Sequence, residues 1–352
     1  MRRLNDDSGA IAVIVALSSV LLVSFGAIVI DVGALYAERR DLQNGTDAAA
    51  FAVAQACAGG SCGAFDSDAE LFADGNASDD ASDVTEVCGA GVPELPVCTD
   101  APTGLSGNGY VRVTARTEEL DGGNLVPPFL AQVLDPSYTG TEVTTDSTVV
   151  WGVPSSYGAE LAITFSLCEY NNMLASYGTI GDPPQQRYAT EPYDATLERT
   201  IYFHKDTSPC GAGPSGADLP GGFGWLDADG TCAATVEDGW ASADPGASAT
   251  QDCKAALEAL LGKTLLIPIF DELNDATGTN GGYHLTSPAG FVLTGWRFPG
   301  TTQKSSYQPP SSSNPCKSPL TCISGFFVKV TGGSGVVGSG PNRGVTVTQM
   351  VP

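Results

Sequence analysis

The sequence is poor in the residues from which catalytic and metal sites are most often built. Its 352 residues include only two histidines, and its ten cysteines form no C-x-x-C pair. Zinc sites favour short paired spacings, so disulfides are the better interpretation of these cysteines. Basic residues are also scarce, with 16 Lys and Arg against 40 Asp and Glu, a net charge of −24. Such a surface repels phosphates, which argues against nucleic acid and anionic lipid headgroups as partners.

No cysteine precedes the only long apolar segment. All ten follow it, at Cys57, Cys62, Cys88, Cys98, Cys168, Cys210, Cys232, Cys253, Cys316 and Cys322. Disulfides persist in oxidising compartments, so we expect this part of the chain to lie outside the cytoplasm. Proximity along the chain favours the pairs 57–62, 88–98, 168–210, 232–253 and 316–322, although the sequence alone leaves many other connectivities open.

The apolar segment predicts a transmembrane helix from Ala10 to about Ile30. Residues 9–30 contain no charge and no proline, and about 20 residues span the roughly 30 Å hydrocarbon layer of a bilayer. The alternatives are a buried core helix and a cleaved signal peptide. A signal peptide has a shorter apolar region of roughly 7–15 residues followed by a small-x-small cleavage site, so we expect a retained anchor.

The orientation of this segment rests on the cysteines. Arg2 and Arg3 favour a cytoplasmic N-terminus, but Arg39 and Arg40 follow soon after the segment and weaken the charge difference. Because the cysteines place the larger part outside the cytoplasm, we predict a single-pass membrane protein. Its N-terminus would be cytoplasmic and its C-terminal region extracytoplasmic, with lipid contacting residues 10–30.

The helix is expected to continue beyond the membrane to about Ala56. The stretch from Asp31 contains no proline and is rich in good helix formers. Leu35, Leu42 and Ala49 recur every seven residues and form a modest apolar stripe. Asn44-Gly45-Thr46 is a weak point at which we expect a kink or a restart, with Thr46 as a cap.

Three short motifs follow one another in the N-terminal part of the chain: Asp31-Val32-Gly33, Leu42-Gln43 and Asp47-Ala48-Ala49-Ala50. With these motifs, about residues 2–56 resemble the TadG/TadE-like proteins of Flp (tight-adherence) pilus assembly. The resemblance implies that the membrane is a bacterial plasma membrane. It implies a role in assembling or anchoring a bacterial surface pilus or in the associated export machinery, with other pilus-assembly proteins as partners. Pilin-type precursors are cut after a glycine and carry a glutamate five residues later. Here Ile14 stands five residues after Gly9, so we expect the uncut form.

The remainder predicts an α+β fold, with a β-rich, disulfide-bearing extracytoplasmic region after the extended helix. We expect three parts: an anchor and helical stalk at 1–56, a small α+β unit at 57–153 and a β-rich unit at 154–352. The predicted helices are 64–76, 125–134 and 249–261. The predicted strands are 109–117, 141–150, 159–168, 200–204, 264–270, 290–298, 326–331 and 344–350. A Ser/Pro-rich loop is expected at 301–315.

Patterns that would carry chemistry are incomplete. The G-x-G-x-x-G match at 333–338 has no room for a following helix and is interpreted as a flexible loop. His204 and His284 lack a G-x-S-x-G companion, so structural roles are expected for both.

The possible metal-binding patterns are incomplete as well. Asp227-Ala228-Asp229-Gly230 lacks the first ligand of a calcium loop, where Trp225 stands, and is interpreted as a turn. The acidic group Asp79, Asp80, Asp83 and Glu86 is interpreted as a solvated face. A von Willebrand factor A metal site is not expected either, because the strand Leu161–Ser166 carries no aspartate.

The leading hypothesis is therefore a non-catalytic, membrane-anchored component of a Flp-type pilus, with no cofactor. The first alternative is a membrane-tethered module that binds an envelope polymer or calcium. A concave aromatic-lined pocket near Trp225, Trp240 and Trp296 would favour it over the leading hypothesis. An anchored hydrolase ranks third and would require His204 or His284 beside a serine or a carboxylate.

Overall fold

The computed structural model describes residues 8–78, 80–118, 122–133, 135–177, 197–202, 223–226, 230–244, 251–274, 281–301, 321–332 and 335–351. The chain forms two compact units. Unit 1 comprises Met1–Ala101, Tyr110–Val149 and Met350–Pro352, and unit 2 comprises Pro102–Gly109 and Val150–Gln349. The three-part division expected from the sequence stays a prediction.

Long apolar and helix-forming sequence gives the first element, and β-rich sequence follows it. The helices are α1 (Ser8–Ala58), α2 (Phe65–Asp74), α3 (Leu167–Tyr177) and α4 (Gln251–Leu260). The strands are β1 (Ser82–Ala90), β2 (Gly109–Thr117), β3 (Thr144–Ala159), β4 (Ile163–Ser166), β5 (Arg199–Tyr202), β6 (Phe223–Leu226), β7 (Ala234–Glu237), β8 (Gly239–Asp244), β9 (Thr264–Asn274), β10 (Gly282–Arg297), β11 (Cys322–Val328), β12 (Val330–Thr331), β13 (Val336–Gly338) and β14 (Val345–Val351). The predicted α+β class, with an N-terminal apolar helix and β-rich sheets after it, is confirmed.

Unit 1 is built around the C-terminal half of α1. The short helix α2 packs against it, and α2 also contacts β1. β1 and β2 pair antiparallel, with the first part of β3 next to β2. β2 alternates between inward and outward residues, and its inward side chains Val111, Val113 and Ala115 are fully buried. This period of two is the pattern that predicted the strand.

Unit 2 contains a strand arrangement that closes on itself. The order β5-β11-β10-β8-β6-β4-β9 is completed by a long antiparallel pairing between β9 and β10, so β10, β8, β6, β4 and β9 form a ring. The 16-residue β10 makes this possible because its first half pairs with β8 and its second half with β11. The second part of β3 pairs with β7 and β13, and β12 pairs parallel with β14.

Aromatic side chains fill the core of unit 2. Phe291 makes edge-to-face contacts with Phe165 and Phe327, with ring centroids 4.9 and 5.3 Å apart. Such contacts add to the free energy gained by burial of the rings. Trp225 and Trp296 are buried in the same core, so their rings do not lie at the surface where an envelope polymer could contact them. They pack with other core groups instead, and only Trp240 of the three is exposed.

Three local predictions are wrong for identifiable reasons. The helix does not restart at Asn44-Gly45-Thr46, because α1 is continuous from Ser8 to Ala58. The helix expected at 125–134 is reduced to a 3-10 turn at Ala131–Val133, since Pro127 and Pro128 lack N–H donors and disfavour helix in the preceding residues. Leu134 lies outside the described residues.

The third wrong prediction is the strand at 159–168, which ends at Ser166 and passes into α3. The Ser166 hydroxyl accepts the backbone N–H of Glu169 at 3.1 Å and so caps the helix. Ser-x-x-Glu is the sequence signature of such a start, and it was the signal that would have located α3.

Three cysteine pairs lie at disulfide-bonding distance: Cys57 with Cys62, Cys88 with Cys98, and Cys232 with Cys253. Each joins cysteines that are close along the chain. Cys168 and Cys322 are also disulfide-bonded. Their predicted partners, Cys210 and Cys316, lie outside the described residues, as does nearly all of the loop predicted at 301–315, so these two pairings stay predictions.

Candidate functional site: the two halves of the N-terminal helix

The first half of α1 presents its apolar side chains outward. From Ile11 to Ile30 the large aliphatic and aromatic side chains are exposed, and Ala27 is the buried residue of this stretch. The helix is long and apolar enough to cross a membrane. A core helix of a soluble protein would bury such side chains, so their exposure argues against that alternative. One helix of this kind fits a single-pass membrane protein.

The second half of α1 is buried within unit 1. Leu42, Ala49, Val53 and Ala54 are almost inaccessible, so the predicted stripe does face a core from Leu42 onward. Gly45 explains how α2 approaches so closely. A Cβ atom at this position would lie 2.7 Å from the carbonyl oxygen of Ala73 in α2, a distance that real side chains do not tolerate. The glycine that suggested a kink is therefore required for a close helix contact.

Two polar side chains fix this half of α1 to β3. The Thr46 hydroxyl donates to the carbonyl oxygen of Leu42 at 2.7 Å and pairs with the Thr145 hydroxyl at 2.7 Å. Gln43 donates to Asp47 at 2.8 Å and to the Asp146 carbonyl oxygen at 3.1 Å. Thr46 is thus a buried residue of the helix interior rather than the predicted cap. Because the Thr46 and Thr145 hydroxyl groups are buried, leaving one of them unpaired would cost about 1–3 kcal/mol.

Asp31 makes a separate contact at the boundary between the two halves. Its carboxylate accepts the backbone N–H groups of Phe129, Leu130 and Ala131, which lie at the start of the 3-10 turn. These residues belong to the segment 124–133, here called the Pro-Pro loop. The loop is closed at its base by a backbone bridge between Val126 and Thr141. Asp31 therefore holds the loop at the end of the apolar half of α1.

The residues that carried the family resemblance thus differ in their surroundings. Asp31, Leu42, Gln43, Asp47, Ala49 and Ala50 contact other parts of unit 1 or are buried there, and Ala48 is partly buried. Gly33 faces open space, since a Cβ atom there would meet nothing within 4 Å. The sequence analysis missed Thr145, the Asp146 carbonyl group and the Pro-Pro loop. Their contacts with α1 join residues about 100 positions apart, a separation over which local patterns carry no information.

His284, which lies within the described residues, has a carboxylate partner. His284 Nδ1 lies 2.7 Å from an oxygen of Asp271, and the imidazole meets the ring of Trp240 edge-on at 5.3 Å. Burial raises the pKa of the nearby Asp238 carboxyl, and the charge of His284 lowers it again in part. The indole ring of Trp240 is 54% exposed, so this group forms a surface patch on unit 2. His204 lies outside the described residues.

The remaining sequence patterns acquire ordinary structural roles where they are described. Gly333 and Ser334 lie outside the described residues, but Val336–Gly338 is strand β13 rather than the flexible loop expected. Asp83 and Glu86 lie on β1 and form ion pairs with Arg116 and Arg112 of β2, so these two do more than form a solvated face. Asp79, and Asp227 to Asp229 of the partial calcium motif, lie outside the described residues. Within the described ranges, no group of three His, Cys, Asp or Glu residues is arranged to hold a metal ion.

Comparison with known proteins places the resemblance on the same part of the chain. Residues 9–56 match the Tad family model, described as Flp pilus-assembly TadE/G-like. No curated protein and no solved structure matches the chain. The matched segment coincides with the apolar half and the docked half of α1 taken together. Residues 9–56 are therefore similar to the TadE/G-like family of Flp pilus-assembly proteins.

Proposed function

We propose that the protein is a non-catalytic, membrane-anchored structural component of a Flp-type pilus or its associated secretion apparatus. The observation that carries the proposal is that the matched residues 9–56 form one helix with a lipid-compatible half and a docked half. Such a helix holds a folded region at a membrane surface, which is what an assembly component of a surface fibre requires. Other pilus-assembly proteins are the proposed partners.

Deletion of the gene tests this role directly. We expect loss of surface pili and of adhesion, both restored by the wild-type gene. Complementation with His284→Gln separates a structural role from catalysis, because it removes the imidazole from the one described His–carboxylate pair. Restoration of pili by this variant is expected. Unchanged piliation in the deletion strain would contradict the assembly role, and failure of a stably folded His284→Gln variant would contradict its non-catalytic character.

We further propose that the N-terminus is cytoplasmic and that residues after about 31 lie outside the cytoplasm. The cysteine pairs support this orientation, since disulfides persist in oxidising compartments. Protease added to spheroplasts is expected to digest the C-terminal region without detergent. Non-reducing peptide mapping should recover the five proposed pairs. Protection from protease together with free thiols would overturn this orientation.

A second candidate function is binding of an envelope polymer by unit 2. The exposed indole ring of Trp240 beside His284 favours it, because exposed aromatic faces are a common contact for ligands. Purified cell wall should then retain the protein, and Trp240→Ala should release it. If both proteins are retained equally, this surface patch is not the binding site. Calorimetric titration with calcium tests the calcium alternative, and the absence of binding heat would contradict it.

A further inference from the structure

The Pro-Pro loop is apolar and exposed in a chain that is otherwise strongly acidic. Its ten residues, 124–133, contain no charged side chain, whereas the whole protein has a net charge of −24. Phe129 and Val133 are 78% and 73% exposed, and Leu125 is also exposed. A group of exposed apolar side chains of this kind marks a contact surface.

The attachment of the loop to α1 fixes its level relative to the apolar half of the helix. Asp31 directly follows Ile30, the last residue of the apolar run, and its carboxylate accepts three successive N–H groups of the loop. Twenty helical residues before Asp31 span about 30 Å, the thickness of the hydrocarbon layer. The loop backbone is therefore level with the boundary between hydrocarbon and headgroups.

Part of α1 below the level of Asp31 is also covered by protein. The 3-10 turn of the loop contacts α1. Ala27, which precedes Asp31 by one turn on the same helix face, is only 3% exposed, while the aliphatic side chains around it are exposed. The four residues from Ala27 to Asp31 correspond to about 6 Å along the helix axis. The covered part of α1 thus reaches below the level of Asp31, into the part that faces lipid.

We propose that the Pro-Pro loop is a second membrane contact, inserted in the lipid interface beside the transmembrane helix. Phe129, Val133 and Leu125 enter the boundary between headgroups and acyl chains, the depth of roughly 5–10 Å at which interfacial apolar segments lie. The absence of charge in the loop removes the repulsion that the acidic surface would otherwise meet at anionic lipids. This inference rests on the proposed membrane anchoring. It gives Asp31 a positioning role, since the contact would tie the folded region to the bilayer at two points.

Photo-crosslinking to lipid in the full-length protein tests the inference. A benzoylphenylalanine residue is placed at Phe129, at Val29 of the apolar half, or at Val97, an apolar residue of unit 1 that is 81% exposed. The three proteins are reconstituted in vesicles of phosphatidylethanolamine and phosphatidylglycerol and irradiated, and lipid adducts are measured by mass spectrometry. We expect adducts at positions 29 and 129, each several-fold above the yield at position 97.

The three positions distinguish a failure of the loop insertion from a failure of the membrane anchor. Adducts at 29 without adducts at 129 would overturn the loop insertion and leave the anchor intact. Equal yields at 129 and 97 would overturn it as well, because exposure alone would then account for the reaction. No adduct at position 29 would contradict the membrane anchor itself. In cells, crosslinking of position 129 to a second polypeptide instead of lipid would assign the loop to a protein partner.

Discussion

The two halves of α1 are both rich in apolar side chains but have opposite surroundings. Residues 11–30 are mostly large and aliphatic and are exposed, whereas residues 42–57 include many alanines and are largely buried. The difference lies in size. Fluid acyl chains can pack against large aliphatic side chains of any shape. Alanine and glycine allow another helix to approach within contact distance. The composition of each half therefore indicates what covers it.

The largest expected effect comes from adding one methyl group at Gly45. Gly45→Ala should lower the free energy of unfolding by about 3 kcal/mol, because the new Cβ atom would overlap the backbone of α2 and force the helices apart. Thermal unfolding in detergent, followed by circular dichroism, measures this. Gly33→Ala is the matched control, since Gly33 faces open space. It should be neutral or stabilising by up to about 1 kcal/mol through helix propensity. Equal effects at both positions would contradict the close contact.

Truncation of a valine in each half compares their burial. Val53→Ala should cost about 2 kcal/mol, because it removes two buried methyl groups and leaves a cavity. Val20→Ala removes the same groups from an exposed position and should leave the unfolding of unit 1 unchanged. Urea unfolding of both variants under the same detergent conditions gives the comparison. A similar loss for Val20→Ala would mean that the apolar half also packs against protein.

The buried hydroxyl pair tests the polar contribution to docking. Thr46→Val leaves the Thr145 hydroxyl without this partner and should cost about 1 kcal/mol. The double variant Thr46→Val with Thr145→Val removes both polar groups and should recover part of that loss. A double-mutant cycle measures the coupling between the two positions. Strictly additive losses would show that the hydroxyl groups do not interact.

The smallest expected effect is a pH dependence at Glu70 of α2. Burial raises the pKa of this carboxyl above its usual value, and the N–H of Val84 partly opposes the shift. Three nearby carboxylates raise it further: Asp74, Asp83 and Glu118. A raised pKa in the folded state means that the stabilisation is present at low pH and is lost as the pH rises through the folded-state value.

Glu70→Gln cannot lose a proton, so its stability relative to the wild type should increase between pH 4 and pH 7. Glu70 is only partly buried, and screening by solvent limits the expected change to about 0.5 kcal/mol. Thermal unfolding across this pH range measures the difference. Glu94→Gln alters an exposed carboxylate and serves as the control, with a flat difference expected. If the stability of Glu70→Gln relative to the wild type fell as the pH rises, the pKa of Glu70 would be lowered in the folded state and not raised.

Elements with a strong local period were predictable, whereas those defined by their neighbours were not. β2 was predicted with its observed bounds, and α2 and α4 within two residues of each end. β1 was missed because Asp83 and Glu86 make it look like a solvated acidic surface. Their charges are balanced by Arg116 and Arg112 on β2, a pairing that only the antiparallel register brings about. The Pro-Pro loop was likewise mispredicted, because its local sequence resembles a helix start while its contact with Asp31 joins residues about 100 positions apart.

The sequence by itself determined the apolar segment, its helical continuation to about residue 56, the similarity of that segment to the TadE/G-like family and the α+β class. These properties follow from composition and short-range periodicity, which act within a few residues along the chain. Only the tertiary structure decided that Gly45 allows a close contact instead of a kink, and that Thr46 is buried against Thr145. It also decided that Asp31 holds a loop 100 residues away. Those roles depend on which segments meet in space, and a periodic pattern does not encode the partner.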